Sequence, residues 1–243
     1  MPLIEPNVFS DAVREFWATR ERQAAEQEER GNSDQGARGA VTGGQQMDGF
    51  VSKITELLVK AGVNPSYIYT QRHATHLPGF FRATKGWDIV VVTEGELLAA
   101  LELKSQVGSF GNNFNNRTEE AMGSALDIWI AYREKAFHSS PPPWLGYLLL
   151  LEDCPKSRCP VEVAEPHFKV FPEFVGASYA RRYEIFCRKL CLERQYTAAC
   201  FLMADQGMAH LRENYVEPAA DLTSERFLIG LLKHAGRMFI AGD

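Results

Sequence analysis

The sequence has no Cys-x-x-Cys pair, no Gly-Lys-Ser/Thr phosphate loop and no apolar run long enough to span a bilayer. Each absence weighs against a function class. Without a Cys-x-x-Cys pair, the five residues Cys154, Cys159, Cys187, Cys191 and Cys200 read first as buried thiols, with zinc or a disulfide the lesser alternative because Cys187 and Cys191 lie one helical turn apart. Without the phosphate loop, Gly43-Gly44 gives no support for ATP binding. Without an apolar span or a basic-then-apolar leader at Met1-Pro2-Leu3-Ile4, the expected protein is cytoplasmic, with no membrane partner. An excess of positive charge is also missing, since the formal net charge is −5. That weighs mildly against nucleic acid as a partner, but net charge says nothing about distribution. Five of the 31 acidic residues lie between Glu15 and Glu29, whereas Arg72, His73, His76, Arg82 and Lys85 gather just before Asp88, where a surface facing a phosphate backbone would be useful.

What is present is concentrated between Gly86 and Gln106. Ile89-Val90-Val91-Val92 reads as a strand, Glu94-Gly95 as a turn, and Leu97 to Leu103 as the returning strand of a hairpin over 86–106. Side chains alternate along a strand, so Glu102 and Lys104 project from one face while Leu101 and Leu103 take the other. The fold-back carries Asp88 toward that pair. Two carboxylates and an ammonium at a sheet edge suit phosphodiester hydrolysis with Mg²⁺, a hard cation commonly held by one or two carboxylates, several waters and a substrate phosphate. Asp88 and Glu102 would be the carboxylate ligands, the Leu103 carbonyl a third oxygen, and Lys104 the group that orients and activates water. An exposed strand alternating Glu and Lys is also ordinary sheet decoration, in which Glu102 and Lys104 merely pair. Glu56 on the preceding helix reads as a solvated surface residue. His73 and His76 would share a metal only on a helix, which Pro78 and its neighbours disfavour.

Along the chain, helical spacing predicts helices over 11–30, about 50–61, 116–140, 179–194 and 224–238. Leu145 to Leu151 is continuously apolar, as in a strand buried on both faces, and Thr197 to Met203 predicts another strand. Ser105 to Asn116 is predicted to be an irregular loop, with Asn116 or Thr118 capping the helix that follows. The expected fold is a single α/β domain over 1–243 whose mixed central sheet has helices on both faces. Its parts are an N-terminal helix and loop (1–36), a catalytic core (37–153), and C-terminal helices with a strand (154–243). Gln106, Asn112, Asn113, Asn115, Asn116 and Arg117 leave the catalytic strand directly, and amide and guanidinium side chains bond adenine and guanine edges bidentately. Arg117 is the strongest of these, because a cation at a helix N-terminus is disfavoured by the dipole and so serves no capping role.

Gly86-Trp87-Asp88 through Glu102-Leu103-Lys104-Ser105-Gln106-Val107-Gly108 resembles the active-site motif of the PD-(D/E)XK nuclease superfamily. Trp87 stands where that motif has proline. The continuation from Ser109-Phe110-Gly111-Asn112-Asn113-Phe114 to Ala121 resembles type II restriction endonucleases of the XhoI family more specifically, as do Arg38 to Gly44 and Gln46 to Phe50. The resemblance implies a restriction-endonuclease-like core and a homodimeric, Mg²⁺-dependent enzyme acting on double-stranded DNA. It also implies the palindrome CTCGAG, cut after the first C to leave a four-base 5′ overhang, and a cognate DNA methyltransferase as counterpart. A structure-specific repair or junction nuclease on the same core, and a non-catalytic DNA-binding protein, are the competing readings.

Overall fold

The computed structural model describes residues 4–29 and 44–240. The segment Arg38 to Gly43 that carries part of the resemblance lies outside them. The elements in chain order are α1 (Ser10–Glu29), α2 (Asp48–Lys60), β1 (Ile68–Tyr69), β2 (His76–Pro78), β3 (Thr84–Gly86), β4 (Ile89–Thr93), β5 (Glu96–Gln106), α3 (Phe110–Arg133), β6 (Trp144–Glu152), α4 (Pro155–Arg158), α5 (Tyr179–Leu192), β7 (Ala198–Ala204) and α6 (Ser224–Ile240).

Five strands form one sheet in the order β1-β4-β5-β6-β7, and β2 pairs with β3 as a separate ribbon. β4 and β5 are the expected antiparallel hairpin, with Ile89 opposite Leu101. Its turn places Glu94 at φ 50° and Gly95 at φ 84°. Two successive positive φ values are what a two-residue hairpin turn needs to match strand twist, which explains the Glu-Gly pair. β5 to β6 and β6 to β7 are parallel, so the sheet is mixed.

Alternation along these strands sorts side chains to two cores. Ile89, Val91, Ala99, Leu101, Leu103, Leu148, Leu150 and Leu202 pack with α1, α2 and α6 on one face. Val90, Ala100, Leu145, Tyr147, Leu149 and Phe201 pack with α3 and α5 on the other. The leucine-rich, almost wholly apolar character of β6 follows from its position between β5 and β7, with parallel neighbours on each side and helices above and below. The expected α/β architecture, with helices on both faces of a mixed sheet, is therefore the observed one and matches a restriction-endonuclease-like core.

Two local expectations are corrected. The sequence predicts no strand between the helix over 50–61 and Gly79, yet β1 extends the sheet and β2 begins the ribbon. Residues 110–116 are not a loop. α3 starts at Phe110, after Ser109 in the left-handed region at φ 43° with no side-chain cap, so neither Asn116 nor Thr118 caps it. The asparagines have low intrinsic helix preference, but tertiary packing overrides it. Phe110 and Phe114 lie against Tyr179 at ring distances of 5.8 and 6.1 Å, and Phe114 meets Tyr183 at 4.9 Å. Of the cysteines, Cys187 and Cys200 are buried as expected, whereas Cys159 is exposed at the end of α4; all five are free thiols.

Candidate active site

The site grows from the polar end of the hairpin. The backbone N–H of Asp88 donates to the Leu101 carbonyl at 3.0 Å, continuing the ladder one residue before β4. Asp88 then accepts the Leu103 N–H on Oδ2 at 2.6 Å. Asp88 is thereby tied to the strand carrying Glu102 and Lys104. Burial raises its carboxyl pKa despite the opposing field of Lys104 and the Leu103 N–H.

Glu102 lies on the α3/α5 side of β5, where an apolar residue would be expected, and is only 2% exposed. An isolated buried carboxylate costs several kcal/mol, so its partners decide whether the site is tenable. Lys104 Nζ approaches Oε1 at 2.9 Å and Lys85 Nζ approaches the same oxygen at 3.3 Å. The Tyr196 hydroxyl lies 3.1 Å from Oε2 and 3.2 Å from the Ala121 carbonyl. Burial pushes the Glu102 pKa up, but the two lysines outweigh it and the net shift is downward. For Lys104, burial pulls the pKa down, and Glu102 with Asp88 outweighs it, so the amine is held protonated. Lys85 goes the other way, because burial wins and lowers its pKa. Two lysines on one carboxylate thus have opposite tendencies.

The structure brings Asp88, Glu102 and Lys104 together, and adds two residues that the sequence did not single out for the site. Lys85 was grouped with surface cations, yet it turns inward from β3, stacks on the Trp87 ring at 4.1 Å and donates to the Gly86 carbonyl. Trp87 therefore seats a lysine over its ring. Tyr196 precedes β7, almost a hundred positions from Glu102, and no local pattern marks it. Of the acidic neighbours, one is as expected and one was not anticipated. Glu56 faces solvent and pairs with Lys53 and Lys60 on its own helix. Asp48, at the start of α2, is the carboxylate whose pKa is raised, by burial and then by the fields of Glu15 and Asp88.

Among the described residues no group of three or more His, Cys, Asp or Glu is placed to hold a metal ion. The donor set on hand is two carboxylates and a main-chain carbonyl. That excludes a closed zinc-type cage and fits a hard cation that completes its shell with water and substrate oxygens.

The candidate DNA-reading residues separate on inspection. Gln106 is 2% exposed, donates from Nε2 to the Gly108 carbonyl and accepts from the Tyr183 hydroxyl at 3.3 Å. Buried and bonded at each end of its amide, it braces the turn into α3 and does not present its amide to solvent. Glu152 assists by accepting the Gly108 N–H at 2.9 Å. Asn112, Asn115 and Asn116 are exposed on the first two turns of α3, and Asn113 is half-buried. Arg117 is not at a helix N-terminus, because α3 began seven residues earlier, so the dipole argument for it lapses. Its guanidinium pairs with Glu120 at 2.7 Å, while its Nε is buried without a hydrogen-bond partner.

A profile of the family described as Restriction endonuclease XhoI matches residues 26–215, which include the whole of this site. The chain belongs to the XhoI restriction endonuclease family. Among its relatives in that family, the type II restriction enzyme BstVI of Geobacillus stearothermophilus is 60% identical over 207 residues, 83% of this chain and 92% of that protein. The type II restriction enzyme XhoI of Xanthomonas vasicola is 48% identical over 183 residues, 74% of this chain and 73% of that one. AbrI of Azospirillum brasilense is 47% identical over 160 residues, 65% and 72% of the respective chains. No solved structure matches the chain.

Proposed function

We propose that this protein is a Mg²⁺-dependent type II restriction endonuclease that cuts both strands of CTCGAG after the first C, leaving a four-base 5′ overhang. The observation that carries the chemistry is the convergence of Asp88, Glu102 and Lys104 at one end of the β4–β5 hairpin, with Leu103 N–H bonded to Asp88. The target sequence is what the family resemblance implies, and two-thirds or more of the XhoI and BstVI chains align with this one.

In this reading one nuclease domain over 1–243 acts as a homodimer in the bacterial cytoplasm, beside a DNA methyltransferase that protects host sites. Two sites related by a two-fold axis are the simplest way to break both strands of a palindrome. Asp88, Glu102 and the Leu103 carbonyl would hold Mg²⁺, which supplies Lewis-acid activation of the phosphate and a more acidic water. Lys104, held as an ammonium by Glu102 and Asp88, orients the attacking water and offsets charge developing on the phosphate oxygens. Tyr196 and Lys85 fix the Glu102 carboxylate from its two sides. Asn112, Asn113, Asn115, Asn116 and Arg117 face the duplex from α3, with the amides suited to adenine and the guanidinium to guanine or phosphate.

Digestion of a plasmid of known sequence, with Mg²⁺ and then with Mg²⁺ chelated, tests the proposal. Discrete Mg²⁺-dependent fragments ending in the expected overhang support it. Cleavage only at branched or damaged DNA would favour a structure-specific nuclease, and binding without cleavage a non-catalytic protein. Either result overturns the reading.

A further inference from the structure

We propose that the tip of the β2–β3 ribbon, Phe80 and Phe81, is an aromatic wedge that packs into the DNA duplex beside the cut phosphate. The inference deepens the endonuclease reading and rests on it. Phe80 and Phe81 are 56% and 68% exposed, with ring centroids 5.7 Å apart in an edge-to-face arrangement. Two neighbouring phenylalanines left in water are costly unless a partner covers them.

The tip is also held rigidly. Asp127, buried on α3, accepts the Phe80 N–H at 2.6 Å and the Phe81 N–H at 2.7 Å on Oδ1, and Arg82 Nε at 2.8 Å on Oδ2. Gly79 has no room for a side chain, because an added Cβ would lie 2.5 Å from Asp127 Oδ2 and 2.6 Å from the Arg82 carbonyl. A tip fixed before binding loses little conformational freedom when it binds.

Its location points to DNA. The same ribbon carries Lys85, whose ammonium contacts Glu102 in the active site. Phe81 is four residues from Lys85, so the chain can separate them by at most about 13 Å, within roughly four base steps at 3.4 Å each. Charge favours a polyanion over a second copy of this chain. Residues 70–87 contain Arg72, His73, His76, Arg82 and Lys85 and not one Asp or Glu, in a chain of net charge −5. No carboxylate within residues 70–87 would repel a phosphate backbone, and Arg82 beside the tip stays partly exposed while bonded to Asp127; Met122 and Leu126 on α3 also expose apolar surface. Apolar side chains inserted between base steps unstack them, and stacking on an aromatic ring is tolerant of sequence.

The test uses CTCGAG duplexes with adenine-rich flanks, in which 2-aminopurine replaces one adenine at a time, bound without Mg²⁺. The wild-type protein should raise the fluorescence several-fold at one or more positions. The double variant F80A/F81A should lose that rise and bind about 10-fold or more weakly, with unchanged melting temperature and sedimentation. F80W/F81W should keep both signals. The proposal is overturned if wild type binds while every position stays dark. It is also overturned if F80A/F81A keeps full affinity and signal, or if that variant falls from dimer to monomer, which would assign the tip to a protein interface. If wild type neither binds nor cuts the duplex, the endonuclease reading itself fails and the wedge falls with it.

Discussion

The two faces of β5 are made from alternate residues of one strand and are equally dry, yet they do opposite things. Leu103 is 3% exposed and packs under α1, α2 and α6; Glu102, its neighbour, is 2% exposed and faces α3 and α5. Burial therefore does not distinguish a core position from a site position here. What distinguishes them is how each side chain's burial is balanced. Burying a leucine stabilises the fold by about 2 kcal/mol, while Glu102 is tolerated only because two ammonium groups and a tyrosine hydroxyl meet its two oxygens. One face spends nothing on partners and contributes stability; the other needs an ordered shell around the carboxylate proposed for catalysis.

Substitutions on the two faces should separate these roles. The largest effect is expected for Asp88→Ala, which removes a proposed metal ligand and should lower the cutting rate by about 10²–10³-fold or more with a melting temperature close to wild type. Near wild-type cleavage by that variant would break the site assignment. Leu103→Ala should behave in reverse, costing about 2–5 kcal/mol in urea denaturation while the folded fraction cuts at nearly the normal rate, because its carbonyl and the polar face remain. A Leu103→Ala protein of full stability but no activity would erase the contrast between the faces.

Asp127 sharpens the comparison, being a buried carboxylate with a structural task. Burial raises its pKa, but Arg82 and the Phe81 and Phe80 amides outweigh that and the net shift is downward. A depressed folded pKa stabilises above the unfolded value of about 3.9 and loses that contribution as pH falls through the lower folded value. Asp127→Asn should cost about 1–3 kcal/mol near neutral pH, with the gap to wild type closing in acid denaturation below about pH 4. A gap that persists at low pH would place the effect elsewhere. The smallest change is expected for Tyr196→Phe. Loss of the hydroxyl on Glu102 should raise the Mg²⁺ needed for half-maximal cutting by about 10-fold, while stability shifts by only about 1 kcal/mol. An unchanged Mg²⁺ titration would make Tyr196 a packing residue.

The hairpin was legible because its signals are local. A two-residue turn, an apolar run and a period of two suffice to place Asp88, Glu102 and Lys104 together, and all lie within 17 consecutive positions. β6 and β7 were legible for the same reason, as short apolar runs. The start of α3 was not. Asn112, Asn113, Asn115 and Asn116 argue for a loop on intrinsic preference, and only the aromatic contacts from α5, some 65 residues later in the chain, make them helical. That error propagated to Arg117, whose expected position at a helix end disappeared with the loop. The burial of Gln106 was not legible either, because its two partners, Gly108 and Tyr183, are settled by how the strand ends and where α5 lands.

By itself the amino-acid order determined the elements whose cause is short-range: the strand pairing at Glu94-Gly95, the shared face of Glu102 and Lys104, and the family to which those residues point. Tertiary structure decided which charges balance one another. Lys85 looks like any surface lysine until the ribbon folds it over Trp87 onto Glu102, and Tyr196 reaches that carboxylate only because β7 lies two strands away from β5 in the sheet. Alternation along a strand is a property of the backbone and can be read from the residues alone. The partner of a buried charge is a property of three-dimensional packing, where residues far apart in sequence meet at about 3 Å.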